Sequence, residues 1–104
     1  MKRKSKYSDR LDLSKKFNVV DYHIDSKSFL RIFNNEIESK HFEWHRDEKN
    51  RKVKVVYADK GWMFQFDNYL PFDIKSGMNI NIKEHAYHRV YKGAGSLILL
   101  IKEN

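Results

Sequence analysis

The stretch from residue 40 to residue 51, KHFEWHRDEKNR, concentrates the side chains of this sequence that could do chemistry. If it is extended, alternate residues share a face. One face then carries two imidazoles and two carboxylates, those of His41, Glu43, His45 and Asp47. Imidazole together with carboxylate suits divalent iron, manganese or zinc. Taken alone, the stretch favours an ordinary half-buried strand, with Phe42 and Trp44 in the core and the charged face in water.

The surrounding sequence predicts a chain made mostly of short strands. From residue 40 onward apolar residues alternate with polar ones, and turns rich in Gly, Asp and Asn interrupt the pattern. The predicted strands cover 41–47, 51–58, 62–67, 70–74, 78–83, 86–92 and 96–102. A series of short strands separated by turns favours an antiparallel sandwich or barrel. Trp62, Phe64 and Phe66 are expected in its core.

The first third of the chain predicts three further segments. Residues 1–16 are interpreted as a basic tail and connector, and residues 17–104 as a single domain. Residues 17–24 are short and β-branched, which predicts a first strand. Apolar residues then recur at helical spacing behind the potential caps Asp25 and Ser26, so a short helix is expected over residues 27–35.

Composition limits the classes of protein that fit. The net charge of +7 favours an anionic partner, although four of the basic residues lie in the first six positions. The absence of cysteine excludes disulfides and Cys-type zinc sites. No apolar run is long enough to cross a membrane, and no apolar stretch follows the basic start as in a signal peptide. The cytoplasm is therefore the expected location.

Residues 40–102 resemble the cupin superfamily. In that family a His-x-His motif, and a glycine followed eleven residues later by a histidine, supply metal ligands inside a small jelly-roll barrel. Gly77 and His88 have the second spacing, His45 matches the first histidine, and Asp47 stands where the second histidine would be. The runs WHRDEKNR, GWMFQFDNYLPF and YHRV are also similar to small cupin-like proteins of large tailed phages.

The resemblance implies a mononuclear metal site formed by His45, Asp47 and His88. This is the 2-His-1-carboxylate set of non-haem iron sites, so Fe(II) is the preferred metal, with Mn or Zn as alternatives. A non-haem iron oxygenase is one activity it implies, while the catalytic residues stay unknown. Where the family's first motif usually continues to a glutamate, this chain has Arg51 and Lys52. A metal-free module that binds a small molecule or nucleotide is therefore the alternative, and a nucleic-acid-binding protein is less favoured.

Four further residues are candidates for ligand binding. Arg51 is suited to hold a carboxylate or phosphate, which predicts a small anionic ligand. Gln65 would contribute if its face of the strand is the interior. His41 and Glu43 share the face of the metal ligands and could orient them by hydrogen bonding. A homodimer is also expected, with the apolar run 97–101 as a candidate edge strand.

Overall fold

The computed structural model describes residues 19–37 and 42–104. Within them the chain forms strands only, apart from a single 3₁₀ residue at Phe42 and irregular turns. The strands are β1 (Val20–His23), β2 (Ser28–Asn34), β3 (Arg51–Ala58), β4 (Met63–Phe66), β5 (Phe72–Asp73), β6 (Asn79–Ile82), β7 (His88–Tyr91) and β8 (Ser96–Glu103). The tail predicted over residues 1–16 and the candidate His41 lie outside the described residues.

Two antiparallel sheets share one core. The larger has five strands in the order β1-β2-β8-β3-β6, and the smaller has three in the order β5-β4-β7. A single cluster of buried apolar side chains draws on both sheets, with Val55 and Leu97 from the larger sheet and Phe64 and Val90 from the smaller one. Trp62, just before β4, is fully buried in this cluster. The predicted mostly β, antiparallel fold is therefore confirmed.

The helix predicted over residues 27–35 is wrong, because Ser28–Asn34 is strand β2. It pairs with β8 over its whole length, from Ser28 opposite Lys102 to Asn34 opposite Ser96. Phe29 and Phe33 point into the core, and Arg31 lies between them on the same face. Leu30 and Ile32 are half-buried on the other face. Because both faces of this strand carry apolar residues, the sequence lacks the alternation with a period of two that is typical of a strand. The apolar residues instead recur at a spacing that also fits a helix.

The described part of the strand predicted over residues 41–47, from residue 42 onward, is largely irregular. Its only ladder contact in the described part is an isolated antiparallel bridge between His45 and His88. Trp44 is 40% exposed rather than buried in the core. The guanidinium carbon of Arg89 lies 4.6 Å from the centre of its ring. Trp44 is therefore not the core residue that the sequence predicted, whereas Phe42 packs against the core as predicted.

The run 97–101 is not an edge. It belongs to β8, which pairs with β2 on one side and with β3 on the other. A strand in the middle of a sheet is covered by two neighbours, which explains its apolar sequence. In the part of the chain described here, no helix is long and apolar enough to span a bilayer.

Candidate metal centre

Backbone hydrogen bonds bring the predicted ligands together. The amide of His45 donates to the carbonyl of His88 at 3.0 Å, and the amide of His88 donates to the carbonyl of His45 at 2.9 Å. Residues paired in this way point their side chains to the same face of the sheet. Accordingly, the centres of the two imidazole rings are 4.3 Å apart. A third bond, from the amide of His85 to the carbonyl of Asp47, continues the pairing at 2.7 Å.

Each imidazole is oriented by a main-chain carbonyl two residues before it. The Nδ1 of His88 lies 2.8 Å from the carbonyl of Ala86, and the Nδ1 of His45 lies 3.0 Å from the carbonyl of Glu43. A carbonyl oxygen only accepts, so Nδ1 carries the proton in both rings. Nε2 of each neutral ring is then the nitrogen whose lone pair is free to bind a metal.

The carboxylate of Asp47 completes the group. Its Oδ1 lies 3.2 Å from Nη1 of Arg51, and its Oδ2 lies 3.3 Å from Nε2 of His88. Oδ2 is buried and has no hydrogen-bond partner of acceptable geometry. Ligand atoms from His45, Asp47 and His88 all lie within 4.8 Å of one another. The donor set and the orphaned oxygen therefore fit a divalent metal.

The protonation equilibria of His45 and Asp47 favour the metal-binding forms. Burial lowers the pKa of His45 below its ordinary value, and the nearby His88 and Arg51 act in the same direction. Burial by itself would raise the pKa of Asp47, but the imidazole of His88, when it carries a proton on Nε2, and the charge of Arg51 outweigh burial and lower that pKa. A neutral imidazole and an ionised carboxylate are the forms that coordinate metals.

Arg51 holds the carboxylate of Asp47 rather than standing free. Its Nε and Nη2 contact Oε2 of Glu103, at 2.8 Å and 2.7 Å, while Nη1 faces Asp47. The β3–β8 pairing sets this arrangement, because Arg51 lies directly opposite Glu103. Arg51, predicted to bind the ligand, is thus mainly occupied by two carboxylates of the protein.

A second inward ion pair was not predicted from the sequence. Arg31 of β2 donates from Nε and Nη2 to the two carboxylate oxygens of Asp21 in β1, at 2.9 Å and 3.0 Å. Burial opposes the charge of Arg31, but Asp21 and the nearby carboxylates of Asp47 and Glu103 hold its pKa above the ordinary value. The available signal was the alternation Phe29, Arg31, Phe33, which the predicted helix concealed.

These groups line one cavity of about 460 Å³. Its polar lining comes from Asp21, Arg31, Glu43, His45, Arg51 and His88. The rest is apolar, from Val19, Phe33, Trp44, Val53, Phe64, Ile74, Ile80, Ile82, Val90, Leu99 and Ile101. The cavity is in the size range of sites that bind small molecules.

Two predicted ligand-binding residues lie elsewhere or act differently. Gln65 points away from the cavity, because it faces opposite to the buried Phe64; its amide donates to the carbonyl of Tyr69, and its oxygen accepts from Arg89 and Tyr91. The condition for a contribution from Gln65, that its face of the strand is the interior, is therefore not met. Glu43 lines the cavity with an exposed side chain, but its main-chain carbonyl is what orients His45.

Gly77 contributes to the fold rather than to the site. Its φ of 90° is a left-handed value that favours glycine, and its amide donates to the carbonyl of Val55 at 2.8 Å. It thereby fixes the turn before β6. The spacing from Gly77 to His88 reflects this turn and the strand that follows it.

The architecture and the ligand group together define a barrel with a candidate mononuclear metal site. No protein-family model matches the sequence, and no curated protein matches it. Several solved structures are similar. DMSP lyase DddQ from Ruegeria pomeroyi DSS-3 has a TM-score of 0.68 at 9% identity, over 95% of this chain and 53% of its own.

Two other solved structures extend the comparison. Protein NMB1881 from Neisseria meningitidis gives a TM-score of 0.60 at 14% identity, over 94% of this chain and 96% of its own. FeII HppE in complex with its substrate gives a TM-score of 0.59 at 13% identity, over 83% of this chain and 52% of its own. The chain thus spans about half the length of DddQ and of HppE. The similarity confirms the cupin fold that the sequence resemblance predicted.

Proposed function

We propose that this protein is a small metal-dependent cupin that binds one divalent cation through His45, Asp47 and His88 and acts on a small molecule in the adjoining cavity. One observation carries the proposal. The free lone pair of Nε2 of His88 faces a buried carboxylate oxygen of Asp47 that accepts no hydrogen bond, at a separation of 3.3 Å. Two acceptors repel each other at this distance unless a proton or a metal cation lies between them.

A metal accounts for the group better than a proton does. A proton on His88 would satisfy its contact with Asp47 but would leave His45 unused. Burial and the neighbouring His88 lower the pKa of His45, which disfavours a second imidazolium beside the first. A divalent cation engages all three side chains. The ligand atoms of the three side chains lie within 4.8 Å of one another, so a single ion would be shared by all three.

Iron(II) is the preferred metal, and manganese and zinc are the alternatives. Two imidazoles and one carboxylate are typical of non-haem Fe(II) sites with open positions. The similar structure of HppE is described as an FeII protein. Three protein ligands leave positions at which a bound metal would supply Lewis-acid or redox chemistry. An oxygenase activity is the specific reaction class that this ligand set supports.

The chain's own residues would prepare the ligands and the surroundings. The carbonyls of Glu43 and Ala86 hold the histidines in one tautomer, and Arg51 turns one oxygen of Asp47 towards them. Apolar side chains form most of the wall of the cavity. A substrate would therefore react at the polar end of an otherwise apolar chamber.

Elemental analysis of protein purified without chelator tests this proposal. We expect about one equivalent of a transition metal per chain in the wild type, and less than about a tenth of that in the His45→Ala/His88→Ala variant. His85→Ala is the matched control, because His85 is an exposed imidazole that contacts Glu48 instead. Negligible metal in all three proteins, also after incubation with Fe(II), Mn(II) or Zn(II), would refute the metal site.

A metal-free binding module is the second candidate. The large apolar share of the cavity favours it, because such a chamber can hold a small molecule without chemistry. Metal-free protein that binds small apolar acids as tightly as metal-loaded protein would support this alternative.

A further inference from the structure

The cavity contains an arginine whose hydrogen-bonding capacity is only partly used. A guanidinium has five N–H donors. Asp21 takes two of them, one from Nε and one from Nη2 of Arg31. Among the described residues no other hydrogen bond to Arg31 is formed, and its side chain, 26% exposed, lines the cavity. Donors remain that can reach a ligand there.

The neighbours of Arg31 make an oxyanion the fitting partner. Arg31 lies on the inward face of β2 between the buried Phe29 and Phe33, so its position is set by a packed strand. The pairing with Asp21 holds the planar guanidinium in one orientation. An oriented guanidinium binds carboxylate, sulfonate or phosphonate oxygens by charge-assisted hydrogen bonds.

The net charge of the side chains in and next to the cavity indicates the charge of the oxyanion that fits there. Apart from Glu43, the charged side chains that line the cavity are Arg31, Arg51 and Asp21, and two further carboxylates, those of Asp47 and Glu103, contact Arg51 without lining the cavity. Without a metal this set has one excess negative charge. A divalent cation on Asp47 and the two neutral histidines reverses it to one excess positive charge. Glu43, also at the cavity, is exposed and screened by water.

We propose that Arg31, oriented by Asp21, is the substrate-anion residue of this cavity, and that the substrate is a monoanionic amphipathic molecule with an apolar body. The apolar body fits the walls around Val53, Leu99 and Ile101. The single negative charge balances the metal-loaded cavity. Arg51 is instead a positioning residue for Asp47. The inference rests on the proposed metal site, since that site supplies the positive charge.

The proposal predicts that metal and anion bind cooperatively. We expect zinc-loaded wild-type protein to bind hexanoate at least about tenfold more tightly than the neutral hexanamide, as charge-assisted hydrogen bonds to an arginine imply. The affinity of metal-free protein for hexanoate should be lower by a similar factor. Isothermal titration calorimetry with zinc, hexanoate and hexanamide measures these values, and zinc serves because it is redox-inert.

Three variants test the contribution of Arg31 to the preference for hexanoate. In Arg31→Gln the preference for hexanoate should fall to within about twofold. Asp21→Asn/Arg31→Gln removes both charges of the pair and leaves two groups that can bond each other, so it keeps the net charge and protects the fold. It should lose the preference as well. Arg89→Gln, an arginine on the outer face of β7, should keep it.

The outcomes separate this inference from the proposed function. Zinc binding with an undiminished hexanoate preference in both Arg31 variants would overturn the inference and leave the metal site standing. Absence of zinc, Fe(II) and Mn(II) binding would refute the metal site, and an Arg31-dependent preference for hexanoate would then still support the anion subsite. Neither metal binding nor any hexanoate preference would overturn both.

Discussion

Arg51 has an indirect role at the residue scale, because it controls which way Asp47 faces. Its contact with Oδ1 of Asp47 leaves Oδ2 available to the proposed metal, and Glu103 fixes the guanidinium in turn. We expect Arg51→Gln to weaken zinc binding about 10–100-fold, the usual effect of losing a group that orients a ligand. Competition with a coloured chelator measures this. Lys52→Gln, one residue further on with an exposed side chain, should leave the affinity unchanged.

The pKa of His45 predicts how stability depends on pH. Because burial lowers this pKa below 6.5, the unfolded chain takes up the proton before the folded protein does. The contribution of neutral His45 is therefore fully present above about pH 6.5 and is lost as pH falls towards the lowered folded value. Metal-free wild type should lose Tm between pH 7 and pH 5 more steeply than His45→Gln. Parallel curves for the two proteins would contradict this.

The lowered pKa of Asp47 likewise makes stability depend on pH, but at lower pH than for His45. Its pKa lies below 3.8 in the folded protein, so the contribution of ionised Asp47 is present above this value and is lost as pH falls through the folded pKa. Acid unfolding monitored by tryptophan fluorescence should therefore begin at higher pH in Asp47→Asn, which lacks the carboxylate contact to Arg51. An unchanged acid midpoint would show that the pair with Arg51 does not stabilise the fold.

At the scale of elements, the two tryptophans have opposite roles. Trp62 is fully buried, and its indole N–H donates to the carbonyl of Ala94 at 2.8 Å. Trp62→Ala should cost about 3–5 kcal/mol of unfolding free energy. Trp44 is 40% exposed and contacts Arg89, so Trp44→Ala should cost only about 1 kcal/mol. Urea unfolding of the two variants gives both values. Equal losses of unfolding free energy would contradict the exposed position of Trp44.

The turn from Gly93 to Gly95 packs directly on the turn before β4. A Cβ on Gly93 would come within 2.4 Å of the amide nitrogen of Trp62 and within 2.6 Å of the carbonyl carbon of Gly61. Backbone atoms cannot move aside cheaply, so Gly93→Ala should lose about 3 kcal/mol. Gly77→Ala is the control, because it meets no atom within 4 Å and should cost only about 1–2 kcal/mol of backbone strain. Thermal unfolding should show a larger decrease in Tm for Gly93→Ala than for Gly77→Ala.

At the scale of the whole molecule, the metal should couple to folding. The ligands come from the irregular segment around residues 45–47 and from β7, so a bound cation ties two distant parts of the chain together. Zinc at about a hundredfold excess over its Kd should stabilise the fold by about 2.7 kcal/mol. Differential scanning calorimetry should show a higher Tm with zinc for the wild type and no shift for His45→Ala/His88→Ala.

The homodimer stays a prediction. Residues 97–101 do not supply its edge strand, because they lie in the middle of the larger sheet.

Local pattern was sufficient for the strands that follow residue 50. In β3 the alternation of Val53 and Val55 with lysines predicted the strand, and the structure has it at Arg51–Ala58. Turn residues separated these strands because glycine and asparagine adopt left-handed backbone conformations, as Gly61, Gly77 and Asn68 do here. The grouping of His45, Asp47 and His88 was also predicted, through the resemblance of their spacing to a known motif.

Only the tertiary structure decided which way the less regular segments face. Residues 28–34 carry apolar side chains on both faces, and pairing with β8 made them a strand and turned Arg31 inward. Residues 43–47 owe their position to hydrogen bonds with His85 and His88, which lie some forty residues away along the chain. The partners of Arg51 and Gln65 likewise come from distant strands. Such contacts have no local signature, because burial of a charge depends on the partner that the fold brings to it.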